Sequence, residues 1–239
     1  MITLPEVSVS LHSVGPYLLL SLKSIDRIRT VACQLPNSDL ALEAVVIPLR
    51  HLKCREKAIC SLANVMSEQV LGVVDIRKTQ RNMYIICEKP GLSLYQYFQG
   101  QVDLQVLKQV LRDCLKGLAA LHLHLIPHGN LSPATIYVDS VTLTAKLGGF
   151  AAISGEEKEQ NIAYYQAPEV SCGQEPSQSS DIYSLGCIAA FLETGKAPFS
   201  PKHCSYRDKG LLSLVCQMTR DLPTSRPTAN SLLTHPFLT

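Results

Sequence analysis

Leu121-His122, then Ile126-Pro127-His128-Gly129-Asn130-Leu131-Ser132-Pro133-Ala134-Thr135-Ile136, then Lys146-Leu147-Gly148-Gly149-Phe150-Ala151: these segments decide how the chain folds. Upstream of them, Leu104, Leu107, Val110, Leu111, Cys114, Leu115, Leu118 and Leu121 recur at three- and four-residue spacing. That period predicts an amphipathic helix of several turns running into the first quoted segment. Downstream, Ser180 to Thr194 is apolar nearly all round, which predicts a buried helix. Leu211 to Met218 and Thr228 to Leu233 are two further helices, the second opened by Arg226-Pro227-Thr228.

The part before about Glu88 has a different period. Tyr17–Leu22, Ile28–Gln34, Ala44–Leu49, Val70–Ile76 and Met83–Glu88 are apolar or β-branched runs separated by turn residues such as Pro36-Asn37-Ser38-Asp39. One helix pattern interrupts them, from about Lys53 to Met66. Pro90-Gly91 marks the break. The expected fold class is α+β, a small β-rich lobe (1–88), a hinge (89–93) and a larger helical lobe (94–239), forming one domain over 1–239.

Composition bounds the function. The chain has 239 residues, 46% apolar and 18% charged, so it can bury a core and is not a disordered segment. A formal charge of +2 with no long basic run gives no reason to expect nucleic acid. Tyr17–Leu22 is too short to span a bilayer, and Met1–Pro5 has no basic leader. The nine cysteines form no C-x-x-C pair and are irregularly spaced, which predicts reduced thiols and a cytoplasmic protein. His122, His124 and His128 invite a metal reading, but no further ligands accompany them.

The ordered segments resemble the protein kinase superfamily. His128-Gly129-Asn130-Leu131-Ser132-Pro133-Ala134-Thr135 is similar to the catalytic loop. Gly149-Phe150-Ala151 stands where D-F-G would be, and Ala167-Pro168-Glu169 matches A-P-E. Ser180-Asp181-Ile182-Tyr183-Ser184-Leu185-Gly186 matches the buried helix, and Arg226-Pro227-Thr228 with His235-Pro236-Phe237-Leu238 the last helices. The resemblance is specific from about Leu104 onward and weaker before it. It implies structural roles for His128, Phe150, Glu169, Asp181 and Arg226, with Glu169 pairing Arg226 and Asp181 accepting catalytic-loop N–H groups.

The same resemblance exposes departures. The proton acceptor of H-R-D-L-x-x-x-N is Asn130, its arginine is Gly129, the following lysine is Ser132 and the metal-binding asparagine is Thr135. Gly149 has no side chain to hold magnesium. Ser24, Asp26 and Arg29 fall at the glycine-rich loop, Val46 at the V-A-I-K lysine and Cys87 at the gate of the nucleotide pocket. The paired helix glutamate aligns with Ala58 or, with a shifted helix, Glu56. The expectation is a pseudokinase: no enzyme, no cofactor (neither ATP nor magnesium), no metal and no catalytic residues. Its work would be binding protein partners as a scaffold or allosteric regulator. The alternatives are a nucleotide sensor without phosphotransfer and an atypical Ser/Thr-type kinase with residual activity. Glu156-Glu157-Lys158-Glu159 reads as a solvated loop, and Asp139 as a surface residue.

Overall fold

Short apolar runs between turns form strands, and the long periodic runs form helices. The computed structural model describes residues 10–21, 29–36, 38, 41–51, 55–98, 100–139, 141–150, 162–198 and 200–239. The chain divides into two compact units, residues 1–56 with 72–89, and residues 57–71 with 90–239.

The first unit is one antiparallel sheet of β1 (Ser10–Val14), β2 (Tyr17–Ser21), β3 (Arg29–Gln34), β4 (Leu42–Pro48), β5 (Val73–Lys78) and β6 (Asn82–Glu88). Its strand order is β1-β2-β3-β4-β6-β5. The sheet curls, and Tyr17 on β2 lies close enough to Asp75 on β5 for that carboxylate, after burial, to raise its pKa. Val14, Tyr17, Leu19, Cys33, Leu42, Ala44, Val46, Tyr84 and Ile86 fill the inside of the curl. β1 pairs with β2 from Ser10 opposite Ser21 to Val14 opposite Tyr17. Five residues of Ser-Leu-His-Ser-Val carry too weak an alternation to announce a strand alone, and pairing supplies the rest.

The second unit contains the larger helices. α1 (Arg55–Leu62) is followed by the small sheet strand β7 (Leu92–Ser93), α2 (Leu94–Tyr97) and the long α3 (Leu104–Leu123). Asp103 caps α3 by accepting from the Gln105 N–H at 2.8 Å. β8 (Ile136–Val138) and β9 (Ala145–Leu147) complete a three-stranded sheet with β7. α4 (Pro168–Ser171), α5 (Gln178–Thr194), α6 (Lys209–Met218) and α7 (Ala229–Leu232) follow.

α3 and β9 are held in fixed relation, which positions everything between them. Gly117 on α3 lets the backbone approach: a β-carbon there would lie 2.7 Å from the Gln69 carbonyl and 2.8 Å from Leu147. Asp113, 1% exposed, accepts from the Ala145 N–H at 3.1 Å and from Gln109 at 2.9 Å. A buried carboxylate is retained only when its oxygens are hydrogen-bonded, and both are. α5 is buried on nearly every side, as its unbroken apolar run requires, and a Ser177–Ser180 capping box closes its start. No helix among the described residues is long and apolar enough to cross a membrane. The eight described cysteines are all free thiols.

Candidate functional site

Asp181 lies in the first turn of α5 and is 1% exposed. Its Oδ2 accepts the His128 N–H at 2.8 Å, and its Oδ1 the Gly129 N–H at 2.9 Å. His122, from the last turn of α3, brings Nε2 to 2.9 Å of Oδ2. One carboxylate therefore fastens α3, α5 and the loop 126–135. The positive end of the α5 dipole favours a negative group there.

His128 is fully buried, and its ring centroid sits 4.8 Å from that of Phe150. Its Nδ1 accepts the Asn130 N–H at 3.3 Å, which leaves the ring proton on Nε2. That Nε2 faces the Gly148 backbone yet makes no full hydrogen bond among the described residues. Burial pushes the pKa down to about 4, against an upward pull from Asp181. His128 is thus a neutral packing element that ties the loop to Phe150.

Three of the catalytic-loop positions, Asn130, Ser132 and Thr135, form one network with Gly149. The Asn130 side-chain amide donates to the Gly149 carbonyl at 2.8 Å. The Thr135 hydroxyl accepts from the Ser132 N–H at 3.0 Å and lies 2.9 Å and 3.1 Å from the Asn130 and Ser132 carbonyls. The Thr135 carbonyl accepts the Gly148 N–H at 2.9 Å. Ser132 is 2% exposed, and its hydroxyl finds no partner among the described residues. Gly129 and Gly149 both take left-handed backbone, at φ 69° and 61°. A β-carbon on Gly149 would also sit 2.8 Å from Thr135 Cγ2.

A magnesium ion needs oxygen ligands in near-octahedral geometry, usually with carboxylates among them. At the two positions where the resemblance puts metal ligands, Thr135 has a hydroxyl already engaged by backbone, and Gly149 has only a carbonyl that Asn130 occupies. These two positions do not fit the ion. Asp139 caps its own turn, accepting from Val141 at 2.9 Å and Thr142 at 2.7 Å. Those bonds hold its carboxyl below the usual range.

Glu169, at the start of α4, pairs Arg226 in a bidentate contact of 2.5 and 2.9 Å. The Arg226 side chain is 0% exposed and also donates to the carbonyls of Ser179, Arg220 and Asp221. Burial is the largest single influence on the Glu169 pKa and raises it, but the Arg226 hydrogen bond, a backbone hydrogen bond and the Arg226 charge together leave the carboxyl below its ordinary value.

In the first unit the nucleotide-site positions separate. Ser24 and Asp26 lie outside the described residues, and so does the side chain of Arg29, which opens β3. Val46 stands opposite Tyr84, inside the curl, whereas Cys87 stands opposite Glu43 on the other face. Cross-strand partners share a face and neighbours alternate, so Val46 and Cys87 cannot line one pocket. Burial pushes the Cys87 thiol up to about 12, with Glu43 and Glu88 adding to it. Ala151 and Glu156–Glu159 also lie outside the described residues. Two features of the site have no sequence signal: the Asn130 amide on Gly149, and the Thr135 methyl against it. Both depend on two loops meeting in space.

The chain matches the protein kinase domain family over residues 50–238. It is 27% identical over 220 residues to mitogen-activated protein kinase kinase kinase 2 of Arabidopsis thaliana, covering 79% of this chain and 34% of that protein. It is 30% identical over 167 residues to mitogen-activated protein kinase kinase kinase A of Dictyostelium discoideum, covering 58% of this chain and 17% of that one. The chain thus spans about a third or less of the length of these relatives. Among solved structures, that of Rad53 1–466 in complex with AMP-PNP superposes with a TM-score of 0.78 at 17% identity, over 94% of this chain and 66% of that one. It shares the kinase fold, with a curled sheet and a helical part.

Two expectations are corrected by these findings. That the chain is no enzyme does not stand against a catalytic family and relatives named as kinases. That it takes no cofactor does not stand against a protein of the same fold that holds AMP-PNP. The match over residues 50–238 and the clamp of Asp181 on the catalytic loop agree, and this chain belongs to the protein kinase family.

Proposed function

We propose that residues 1–239 form a single protein kinase domain, similar to the kinase kinase kinases, that takes ATP and transfers its phosphate to serine or threonine slowly. The observation that carries this reading is the intact positioning frame. Asp181 holds the catalytic loop, His128 packs on Phe150, and Glu169 is locked to Arg226. Phosphoryl transfer depends mainly on positioning and electrostatics rather than covalent chemistry by the protein. Asn130 in place of the proton acceptor removes a contribution of roughly 10²–10⁴ in rate. The departures therefore predict a low turnover on a kinase frame.

The first test is thermal unfolding with ATP. Ligand at a hundred times its dissociation constant stabilises the fold by about 2.7 kcal/mol. At about 2–4 °C per kcal/mol that is a rise of roughly 5–10 °C. No rise at millimolar ATP overturns the reading.

A second reading, a scaffold or regulatory role through a protein partner, rests on Leu123 and Leu125. They are 81% and 82% exposed at the end of α3, and Leu125 holds left-handed backbone at φ 57°. An exposed leucine in strained backbone does nothing for the fold that glycine would not do better. Retained ATP binding with no phosphate transfer would favour this second reading.

A further inference from the structure

Asn130 is the position where chemistry has been exchanged for a different contact. Its side-chain amide donates to the Gly149 carbonyl at 2.8 Å, and its N–H donates to His128 Nδ1 at 3.3 Å. Its carbonyl lies 2.9 Å from the Thr135 hydroxyl. The residue therefore reaches both the catalytic loop and the segment that leaves β9. The acceptor it uses at Gly149 is a main-chain oxygen next to a residue with no side chain.

We infer that Asn130 is a positioning residue, a tie between the catalytic loop and Gly149 that holds the two segments together without a cation. An aspartate could not make this bond when ionised. A carboxylate has acceptors only, and it would face the Gly149 carbonyl oxygen lone pair to lone pair. The neutral amide supplies the donor that this geometry needs. Asn130 thus suits the left-handed turn at Gly149, with the Thr135 methyl packed where a side chain at 149 would stand. The inference rests on reading 128–150 as the nucleotide-facing segments. It concerns their order in the absence of nucleotide, so it can fail while ATP binding succeeds, and the reverse.

The test is amide hydrogen exchange of the whole chain in EDTA, without nucleotide, on N130D and N130A beside the native protein. The native chain is expected to protect 128–135 and 147–150 equally with and without magnesium. N130D is expected to lose at least tenfold in protection of those segments at pH 7. It should regain it towards pH 5, as the carboxyl, its pKa raised by the facing carbonyl, takes a proton and becomes a donor. N130A should lose protection at both pH values. Asp181 from α5, His122 from α3 and His128 from the loop itself also face this region, so each pH is compared with the native chain at the same pH. If a variant is loosened globally, the N130D-to-native protection ratio at pH 5, set against the same ratio at pH 7, still decides. A pH-independent N130D, or native segments that order only with magnesium, overturns the inference.

Discussion

Thr135 and Gly149 interlock: a β-carbon on Gly149 would stand 2.8 Å from Thr135 Cγ2, and the glycine holds φ at 61°. Real β-carbons do not approach that closely, so something has to shift. G149D is therefore expected to lose about 1–3 kcal/mol of stability from the contact and the backbone strain together. T135N removes the methyl branch. The double variant is expected to be more stable than the sum of the single effects, with a coupling of about 0.5–3 kcal/mol. Urea unfolding of the four proteins measures it, and simple additivity would mean that the two residues do not interlock.

The Glu169–Arg226 pair carries a larger share of the fold. Removing one partner leaves the other charged and buried, at a cost of about 3–5 kcal/mol. E169A and R226A are each expected to lower the unfolding free energy by that amount, seen as a lower denaturant midpoint at an unchanged slope. R226K should not recover it, because an ammonium cannot make the two-pronged contact and still reach the carbonyls of Ser179, Arg220 and Asp221. Full recovery by lysine would show that charge alone matters at this position.

Acid should loosen the catalytic loop through His128. Its folded pKa is lowered from 6.5 to about 4, so the unfolded chain binds a proton that the folded chain refuses between those values. The stabilisation is fully present above about pH 6.5 and is lost as pH falls through 4, in total about 3 kcal/mol. Carboxylates titrate at the lower end of the same window. The difference between the native chain and H128F isolates the histidine. The native curve should fall more steeply than that of H128F between pH 6.5 and 5, and parallel curves would contradict the burial of a neutral ring.

Leu125 offers a test in the opposite direction. Left-handed backbone costs an L-residue about 1–2 kcal/mol, while glycine gives back about 0.4–1 kcal/mol in unfolded-state freedom. The side chain is 82% exposed, so little packing is lost. L125G is expected to raise stability by about 0.5–1 kcal/mol in urea unfolding. A fall would place the leucine in the packing of the loop after all.

Much of this architecture is legible in the residues themselves. The α3 and α5 periods and the Pro90-Gly91 break follow from spacing, because helical periodicity is a local property, whereas the pairing of Glu169 with Arg226 is implied only by the family resemblance. β1 is not legible, since its five residues become a strand only against β2. The facing of Val46 is not legible either. Ala44-Val45-Val46-Ile47 is apolar throughout, so no polar residue marks which side of β4 meets the inside of the curl, and the register against Tyr84 and Ile86 decides it. At the site, that Asn130 and Gly149 carry no acidic side chain reads directly, and only the resemblance makes it a departure. What replaces them does not, because an asparagine amide finds a carbonyl nineteen positions on only when the loops have met.

A slow kinase on an intact frame should reveal itself by phosphate transfer. Purified chain at stoichiometric concentration would be mixed with γ-labelled ATP, divalent cation and a serine/threonine peptide library, and label on peptide followed across the fractions of a sizing column. Transfer is expected to follow the chain from fraction to fraction, to saturate with ATP, and to run slower by at least the roughly 10²–10⁴ that a missing proton acceptor costs. No label above the protein-free blank, in a chain whose unfolding temperature still rises with ATP, would contradict it.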